Sequence, residues 1–521
     1  MGIEARPRPW WSRPWALALG SAFLATNLWH RVGFFDEGYA LYGAWRIRAG
    51  ALPYRDFMCS YGPGSFCANA AAMALLGQRV MSVRLLDLCI RLGIAWSCGW
   101  AAWRAGAGRY AALAWAAALA LLGGLEFYGY AGHLALLLAL FCSLAWCRSL
   151  AARGPAWAAV AGALAGTAAF VRQDFGFYLL AAMALHSLAA ACLGEGPRAW
   201  RRLAWALAAA GAAAAALYAP YLVLVGPARL WHELVTRNLG LTESLYTMPV
   251  PGWAALGLSL RGLGHGDWTA FDPGQPWMAL YLGGAVLLDL LLGSLWRAWK
   301  GRPFALEGLW FALLGGLLLR QGLNRADLIH LFPSLMMALV GAGIQAGAWG
   351  QGRTKLALLA LGLYFVAAPL SAWGRYLGGL RTAPSSSLER ASGLPIAPDL
   401  DAAVGLVQRG TLPGERIYVA NAAAGQGLVN HVLFYFLADR PCAAYDELVL
   451  RPMPPGNEQE IGDALDRPDT GAVVLWNGLK TGLGSEALDR RLQAFGTGPV
   501  YLSGDYELRF KRPLEAPKNP S

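Results

Sequence analysis

Charge is scarce in this chain. Only 14 % of its 521 residues are Asp, Glu, Lys or Arg, against about 25 % in ordinary water-soluble proteins. Acids are the scarcer sign, 32 against 43 Lys and Arg. That shortage excludes a solvated, disordered chain and an ordinary soluble enzyme. Cysteine is sparse as well: eight residues, at 59, 67, 89, 98, 142, 147, 192 and 442, mostly inside apolar runs. Such scatter excludes a disulfide framework and a zinc ribbon. No G-x-x-x-x-G-K-[ST] loop occurs, so nothing points to nucleoside triphosphates. No internal repeat is visible. The one near-sequon, Asn519-Pro520-Ser521, is blocked by its proline, which fits a bacterial envelope.

What remains is apolar. Hydrophobic types make up 56 % of the chain, with 64 glycines and 23 tryptophans. A membrane span needs about 20 mostly apolar residues. About eleven runs qualify, near 14–30, 80–103, 110–125, 133–149, 157–171, 177–193, 203–225, 277–296, 304–320, 331–347 and 356–372. The composition therefore predicts a polytopic α-helical membrane protein. The first run has a basic flank but no clean small-x-small cleavage site before His30, and is read as an anchor.

The net charge of +11 reports topology. From residue 373 onward there are fifteen Lys and Arg against seventeen Asp and Glu, so the first 372 residues hold the whole excess. It clusters in alternate short loops, as at Arg104 and Arg109, Arg148 and Arg153, Arg198, Arg201 and Arg202, and Arg297 and Lys300. By the positive-inside rule those loops are cytoplasmic. No basic surface interleaved with aromatics suggests nucleic acid. The expected location is the inner (plasma) membrane, multi-pass. The N-terminus is cytoplasmic and, after eleven crossings, the tail periplasmic.

Three segments then lie outside: 31–79, 226–276 and 373–521. The first 372 residues read as one transmembrane unit. The tail reads as a soluble extracytoplasmic α/β domain, joined through a Ser385–Ser387 linker. Short β-branched runs at Arg416–Asn421 and Ala472–Asn477 alternate with helical patterns near 400–409, 425–438, 458–467 and 485–494. A closing hairpin is expected around Gly504-Asp505.

The first outer segment carries the best chemical signal. Asp36 and Glu37 stand just outside the first run, in Phe34-Phe35-Asp36-Glu37-Gly38-Tyr39. Tyr39, Tyr42 and Trp45 follow at near-helical spacing, as in a helix lying at the lipid interface. A carboxylate at this depth can serve as general base. Equally, two acids at a helix start can simply cap it.

The string DEGYALYGAWRIRAGALPYRDFMCSYGPG resembles the first outer loop of GT-C superfamily glycosyltransferases, in the branch of protein O-mannosyltransferases and the lipid A aminoarabinose transferase. The resemblance rests on the acidic pair, the PYRDF-like stretch and the YGP turn. It extends to the many-span layout and the α/β tail. It implies a sugar taken from a polyprenyl-phosphate carrier and passed, with inversion, to an extracytoplasmic acceptor. Asp36 would be the base; Glu37 and a second outer-loop acid, Glu126, join it as catalytic candidates, Glu37 supporting the site more than acting as base and Glu126 positioning the acceptor or contacting a metal. Tyr54, Arg55, Asp56 and Tyr61 fall in the family's loop motif and become substrate-binding candidates.

A carrier phosphate at the membrane surface needs cations there, and arginine offers a fork for phosphate oxygens. Arg172 with Asp174, and Arg325 with Asp327 and His330, end spans on the outer side and are the phosphate-site candidates. The Arg-x-Asp pairs could equally anchor helix ends. Arg84, Asp87 and Arg91 share one helix face and can pair along it. Cys59 and Cys67 are both external and could be bridged. No cofactor and no metal ligand set is expected, with divalent metal left open. The partners implied are the lipid-linked donor, a glycan, lipid or protein acceptor, and membrane lipid, in a monomer or homodimer. Two other classes compete: a transporter or flippase of a lipid-linked sugar, and a non-catalytic envelope protein on the same scaffold. Transporters place polar groups near the bilayer midplane, often in repeated halves. Here they gather at the outer ends of the runs.

Overall fold

The structure is a computed structural model; it describes residues 9–125, 127–152, 154–239, 276–301, 305–325, 327–349, 352–367, 385–420, 422–424, 427–447, 456–476, 486–496 and 498–514. Each apolar run named above is helical over most of its described residues. In chain order the helices begin α1 (Pro14–Ala25), α2 (Asp36–Arg48), α3 (Gly64–Leu76), α4 (Val80–Arg104), α5 (Tyr110–Gly123), α6 (Ala131–Ala151), α7 (Ala156–Val171), α8 (Gln173–Ala190) and α9 (Gly196–Leu224). They continue with α10 (Pro227–Trp231), α11 (Pro276–Trp299), α12 (Leu306–Asn324), α13 (Leu328–Trp349) and α14 (Gly352–Ala367). Among the described residues, four stretches are long and apolar enough to cross a membrane: Ala131–Ala151, Gln173–Leu224, Ala279–Trp299 and Leu328–Gly347.

Two hydrophobic cores divide the molecule. The helices α1 and α4–α8 pack with α11–α14 around one core that includes Trp11, Trp146, Phe175 and Trp310. Small residues let backbones approach closely, as membrane helices require. A Cβ on Gly162 of α7 would lie 2.0 Å from the Ala206 carbonyl oxygen of α9. The second core joins the first outer segment to the tail: Tyr42, Phe57 and Phe66 bury with Tyr418, Phe434, Phe436 and Leu508.

The tail alternates as expected. Helices α15 (Pro398–Gly410), α16 (Val432–Ala438), α17 (Asn457–Asp466) and α18 (Glu486–Gln493) surround strands β1 (Arg416–Ala420), β4 (Thr470–Trp476), β5 (Tyr501–Ser503) and β6 (Tyr506–Phe510), while β2 (Ala422–Ala424) pairs with β3 (Gly427–Val429) as a separate antiparallel ribbon. The main sheet runs β1-β4-β6-β5, with β1 parallel to β4 and the rest antiparallel. Gly504, at φ 55°, turns the closing hairpin. One expectation is corrected here. The pattern read as helix over 425–438 is a strand at Gly427–Val429 and becomes helical only from Val432.

A second correction concerns α2. Its aromatics do not face lipid: Tyr39, Tyr42 and Trp45 are buried, against α3 and α16 of the tail. A Cβ on Gly38 would sit 2.6 Å from the Leu433 backbone nitrogen, so only glycine permits this approach. The Leu433 N–H donates to the Phe34 carbonyl at 3.1 Å. The tail thus clamps the turn that presents Asp36.

Candidate active site

Asp36 is the first residue of α2 and is half-buried. Its carboxyl is pushed above the ordinary range by burial. Arg325, His330 and Arg172 pull it back down, while Asp327 adds to the rise. These groups reach it from three other places: Arg172 between α7 and α8, Arg325 and Asp327 between α12 and α13, and His330 in the first turn of α13. The charges of four residues proposed from sequence therefore act on the fifth.

Their mutual geometry is well defined. Arg325 donates from Nε to Asp327 Oδ2 at 2.8 Å, and Asp327 Oδ1 bonds His330 Nδ1 at 2.6 Å and its backbone N–H at 3.0 Å. Against the effect of burial, the His330 hydrogen bond and charge and the Arg325 charge hold the Asp327 carboxyl below its usual range. Arg325 is the most open of the three, 37 % exposed, and among the described residues its Nη fork takes no partner. Arg172 donates from Nε to Asp174 Oδ1 at 3.1 Å and from Nη1 to the Tyr130 hydroxyl at 2.5 Å. Its guanidinium lies over the Tyr61 ring, 5.0 Å from the centroid. Gln321 of α12 donates to Asp174 Oδ2 at 2.6 Å and so ties the two cation sites together.

Sequence reasoning missed Tyr130 and Gln321. The first sat in a Tyr128-Gly129-Tyr130 string beside a proposed acid. The second sat inside RQGLN, between residues that drew attention for their charge. No local signal marks either one, because each acts on a residue at least 42 positions away.

Other candidates are placed elsewhere. Glu37, proposed as catalytic, is buried and held by Arg84: Nε to Oε1 at 2.7 Å and Nη2 to Oε2 at 3.0 Å. Its Oε2 also accepts the Gly33 N–H at 2.8 Å. Glu37 is a structural anchor. Arg84 consequently does not pair with Asp87; Asp87 binds Arg91 at 2.6 Å and His133 at 2.8 Å. Tyr128 is sandwiched between the two arginines, 4.6 Å from each. Glu126 lies outside the described residues. Its flanking carbonyls, Leu125 at 2.7 Å and Phe127, both accept from Arg91.

Tyr54, Arg55 and Asp56 are not part of the Asp36 cluster. They follow the far end of α2, which is roughly 18 Å long at 1.5 Å per residue. Tyr54 is buried at φ 68° and donates to the Tyr61 carbonyl at 2.6 Å. Arg55 and Asp56 form an exposed pair at 2.9 Å. Cys59 and Cys67 are unbridged: Cys59 donates to the Tyr61 carbonyl at 3.0 Å, and Cys67 faces the Tyr221 hydroxyl at 3.6 Å. His186 is hydrogen-bonded between Trp146 and the Leu306 carbonyl, as a packed histidine should be. Among the described residues, no three His, Cys, Asp or Glu side chains converge as a metal site would need.

Solved structures now decide the fold. ArnT from Cupriavidus metallidurans, bound to undecaprenyl phosphate, superposes with a TM-score of 0.58 at 14 % identity, covering 95 % of this chain and 96 % of that one. The chain shares the fold of this ArnT over nearly its whole length. The apo form of the same ArnT gives a TM-score of 0.55 at 16 % identity, again covering 95 % and 96 %. The Archaeoglobus fulgidus oligosaccharyltransferase, complexed with Zn and sulfate, gives 0.52 at 13 % identity, covering 95 % of this chain and 73 % of that one. No protein-family model and no curated protein matches the sequence. At such identities the likeness speaks for architecture, and the chemistry must be argued from the residues above.

Proposed function

We propose that this protein is a membrane glycosyltransferase that moves a sugar from a polyprenyl-phosphate carrier to an extracytoplasmic acceptor. The observation that carries the reading is the convergence of Arg325, His330 and Arg172 on Asp36. A carboxylate able to take a proton stands among cations able to hold a leaving phosphate. In support, a neighbour of this fold was solved bound to undecaprenyl phosphate. In this reading the chain crosses the membrane eleven times, with the N-terminus cytoplasmic and the tail outside. Residues 1–372 form the transmembrane unit and 373–521 the external one.

The step follows from charge placement. Asp36 accepts the proton of the acceptor hydroxyl or amine as that atom attacks the anomeric carbon. The carrier phosphate leaves from the opposite face, inverting the centre. Burial raises the Asp36 pKa above the ordinary aspartate range, which strengthens the carboxylate as a proton acceptor. The Nη fork of Arg325 is free to meet phosphate oxygens, and Arg172 supplies a second fixed cation. Protein groups carry this step, and no cofactor is assigned.

The test is transfer in membranes from a panel of labelled polyprenyl-phosphate sugars, comparing wild type with Asp36→Asn at equal protein level. Release of carrier phosphate and labelled product, both lost in the variant, is the expected result. Release that survives would remove Asp36 as the base and turn attention to Glu126. Carrier movement across the bilayer without turnover would favour a transporter.

A further inference from the structure

A cavity of about 640 Å³ opens at the far end of α2, between the first outer segment and the tail. Its wall is strongly basic: Arg46, Arg55, Arg229, Arg416 and Arg467 face two carboxylates, Asp56 and Glu460. We propose that this cavity is an oxyanion subsite that takes a multiply charged phosphate or carboxylate group of the acceptor. The identity of the ligand as acceptor rests on the transferase reading; the anion site itself does not.

Three features separate this cavity from an ordinary solvated surface. First, three of its five arginines, Arg46, Arg229 and Arg467, are positioned by neutral groups, while Arg55 pairs with Asp56 at 2.9 Å and Arg416 with Asp469 at 3.1 Å. Arg229 donates to the Arg55 carbonyl at 3.3 Å and stacks on Tyr445, 5.0 Å from its centroid. Arg467 donates to the Ala443 carbonyl at 3.2 Å, and Arg46 to the Tyr42 hydroxyl at 3.1 Å. Such bonds orient a guanidinium without spending its charge. Among the described residues, no carboxylate pairs with Arg46, Arg229 or Arg467.

Second, the two acids are already engaged. Asp56 accepts both Arg55 nitrogens at 2.9 Å and the Leu52 N–H at 2.7 Å. Glu460 accepts the Tyr445 N–H at 2.5 Å. Third, the cations come from four separate stretches of chain, the end of α2 with its following turn, α10, β1 and the residue after α17. With Arg55 and Arg416 each matched by a carboxylate, Arg46, Arg229 and Arg467 outnumber the one remaining acid, Glu460, and such guanidiniums suit phosphate and carboxylate oxygens. The position is also apt. The cavity lies roughly one α2 length, about 18 Å, from Asp36, so an extended acceptor could hold its charged end here and present its nucleophile there.

The test uses the full chain in phosphatidylcholine nanodiscs, with inorganic pyrophosphate as probe. Wild type should show a saturable rise in Tm. The double variant Arg229→Gln/Arg467→Gln, two exposed positions where glutamine retains a donor, should bind pyrophosphate at least about tenfold more weakly. Asp36→Asn should bind as wild type does, which keeps this result independent of turnover. Equal binding by wild type and the double variant, or none by either, overturns the subsite. Phosphatidylglycerol nanodiscs separate the sources of charge. If the anionic bilayer alone abolishes the pyrophosphate response, a lipid headgroup fills the cavity and the acceptor assignment fails. With an acidic acceptor in hand, the double variant should raise its KM about tenfold or more with little change in kcat, and leave a neutral acceptor unaffected. Equal KM changes for both acceptors would also sink the assignment.

Discussion

Arg84 grips Glu37 with two guanidinium nitrogens, at 2.7 and 3.0 Å, and the same side chain donates to the carbonyls of Leu28 and His30. One residue of α4 therefore ties the connector before α2 to the first turn of α2, and with it the backbone of Asp36. Neighbouring acids divide two tasks between them: Glu37 holds the turn, and Asp36 faces the cations.

That division predicts opposite phenotypes for two adjacent carboxylates. Removing one partner of a buried ion pair leaves the other charge unmatched, which typically destabilises by about 3–5 kcal/mol. Glu37→Gln should accordingly lower Tm clearly, and its loss of turnover should follow the loss of folded protein. A thermal melt beside a transfer assay checks it. A Glu37→Gln protein with wild-type Tm and no activity would make Glu37 a chemical group after all.

Asp36 should behave in the reverse way. Burial raises its pKa above the unfolded value near 3.9. A raised carboxyl contributes stability that is fully present below the unfolded pKa and lost as pH rises through the folded one. At neutral pH the ionised group therefore opposes folding, and Asp36→Asn should keep or increase Tm while abolishing transfer. The base must be ionised to work, so kcat/KM in wild type should climb with pH through an apparent pKa above the ordinary aspartate range. A flat profile between pH 4 and 7 would contradict the assignment.

The Arg325–Asp327–His330 set yields a graded prediction. Hydrogen bonds to charged groups contribute about 1.5–3 kcal/mol each, so Arg325→Ala should weaken donor use by about 10- to 100-fold in kcat/KM. Asp327→Asn keeps both Arg325 and His330 but loosens their alignment, and its loss should be smaller. Arg325→Lys should recover little, because a point charge does not reproduce a fork. Steady-state kinetics with varied donor separates these cases. An Asp327→Asn defect larger than that of Arg325→Ala would mean that Asp327 itself meets the substrate.

Much of this arrangement was legible in the sequence, for physical reasons. Apolar runs of span length have few folded options, and each is helical over most of its described residues. Asp36, Arg172, Arg325, Asp327 and His330 could be grouped from sequence because all stand at the ends of apolar runs away from the alternate basic loops. What was not legible depends on distant partners. The burial of Tyr39, Tyr42 and Trp45 requires a tail helix nearly 400 residues away, so their spacing read as a lipid-facing stripe. Arg84, Asp87 and Arg91 looked self-sufficient at helical spacing, yet Arg84 pairs 47 residues back. Tyr54, Arg55 and Asp56 were drawn toward the Asp36 site by a motif that is compact in sequence. A straight helix instead carries them to its far end.

Glu447 provides a pH test of the tail's attachment to the first outer segment. The side chain is fully buried, and its Oε2 accepts the Met58 N–H at 3.3 Å across that junction. Its Oε1 has no hydrogen-bond partner among the described residues. Burial first, and the neighbouring Asp446 charge second, push its pKa well above the usual glutamate range. The sign follows as for Asp36: stability from this group is complete below the unfolded pKa near 4.3 and falls as pH rises through the folded value. Glu447→Gln removes the ionisation while keeping an acceptor for Met58. Its Tm should exceed that of wild type increasingly as pH rises, and the two curves should converge at acid pH. Limited proteolysis at alkaline pH should release the tail more readily from wild type than from Glu447→Gln. A variant whose Tm falls below wild type at every pH would show that the carboxylate is ionised and paired in the folded protein, and would reverse this account of the junction.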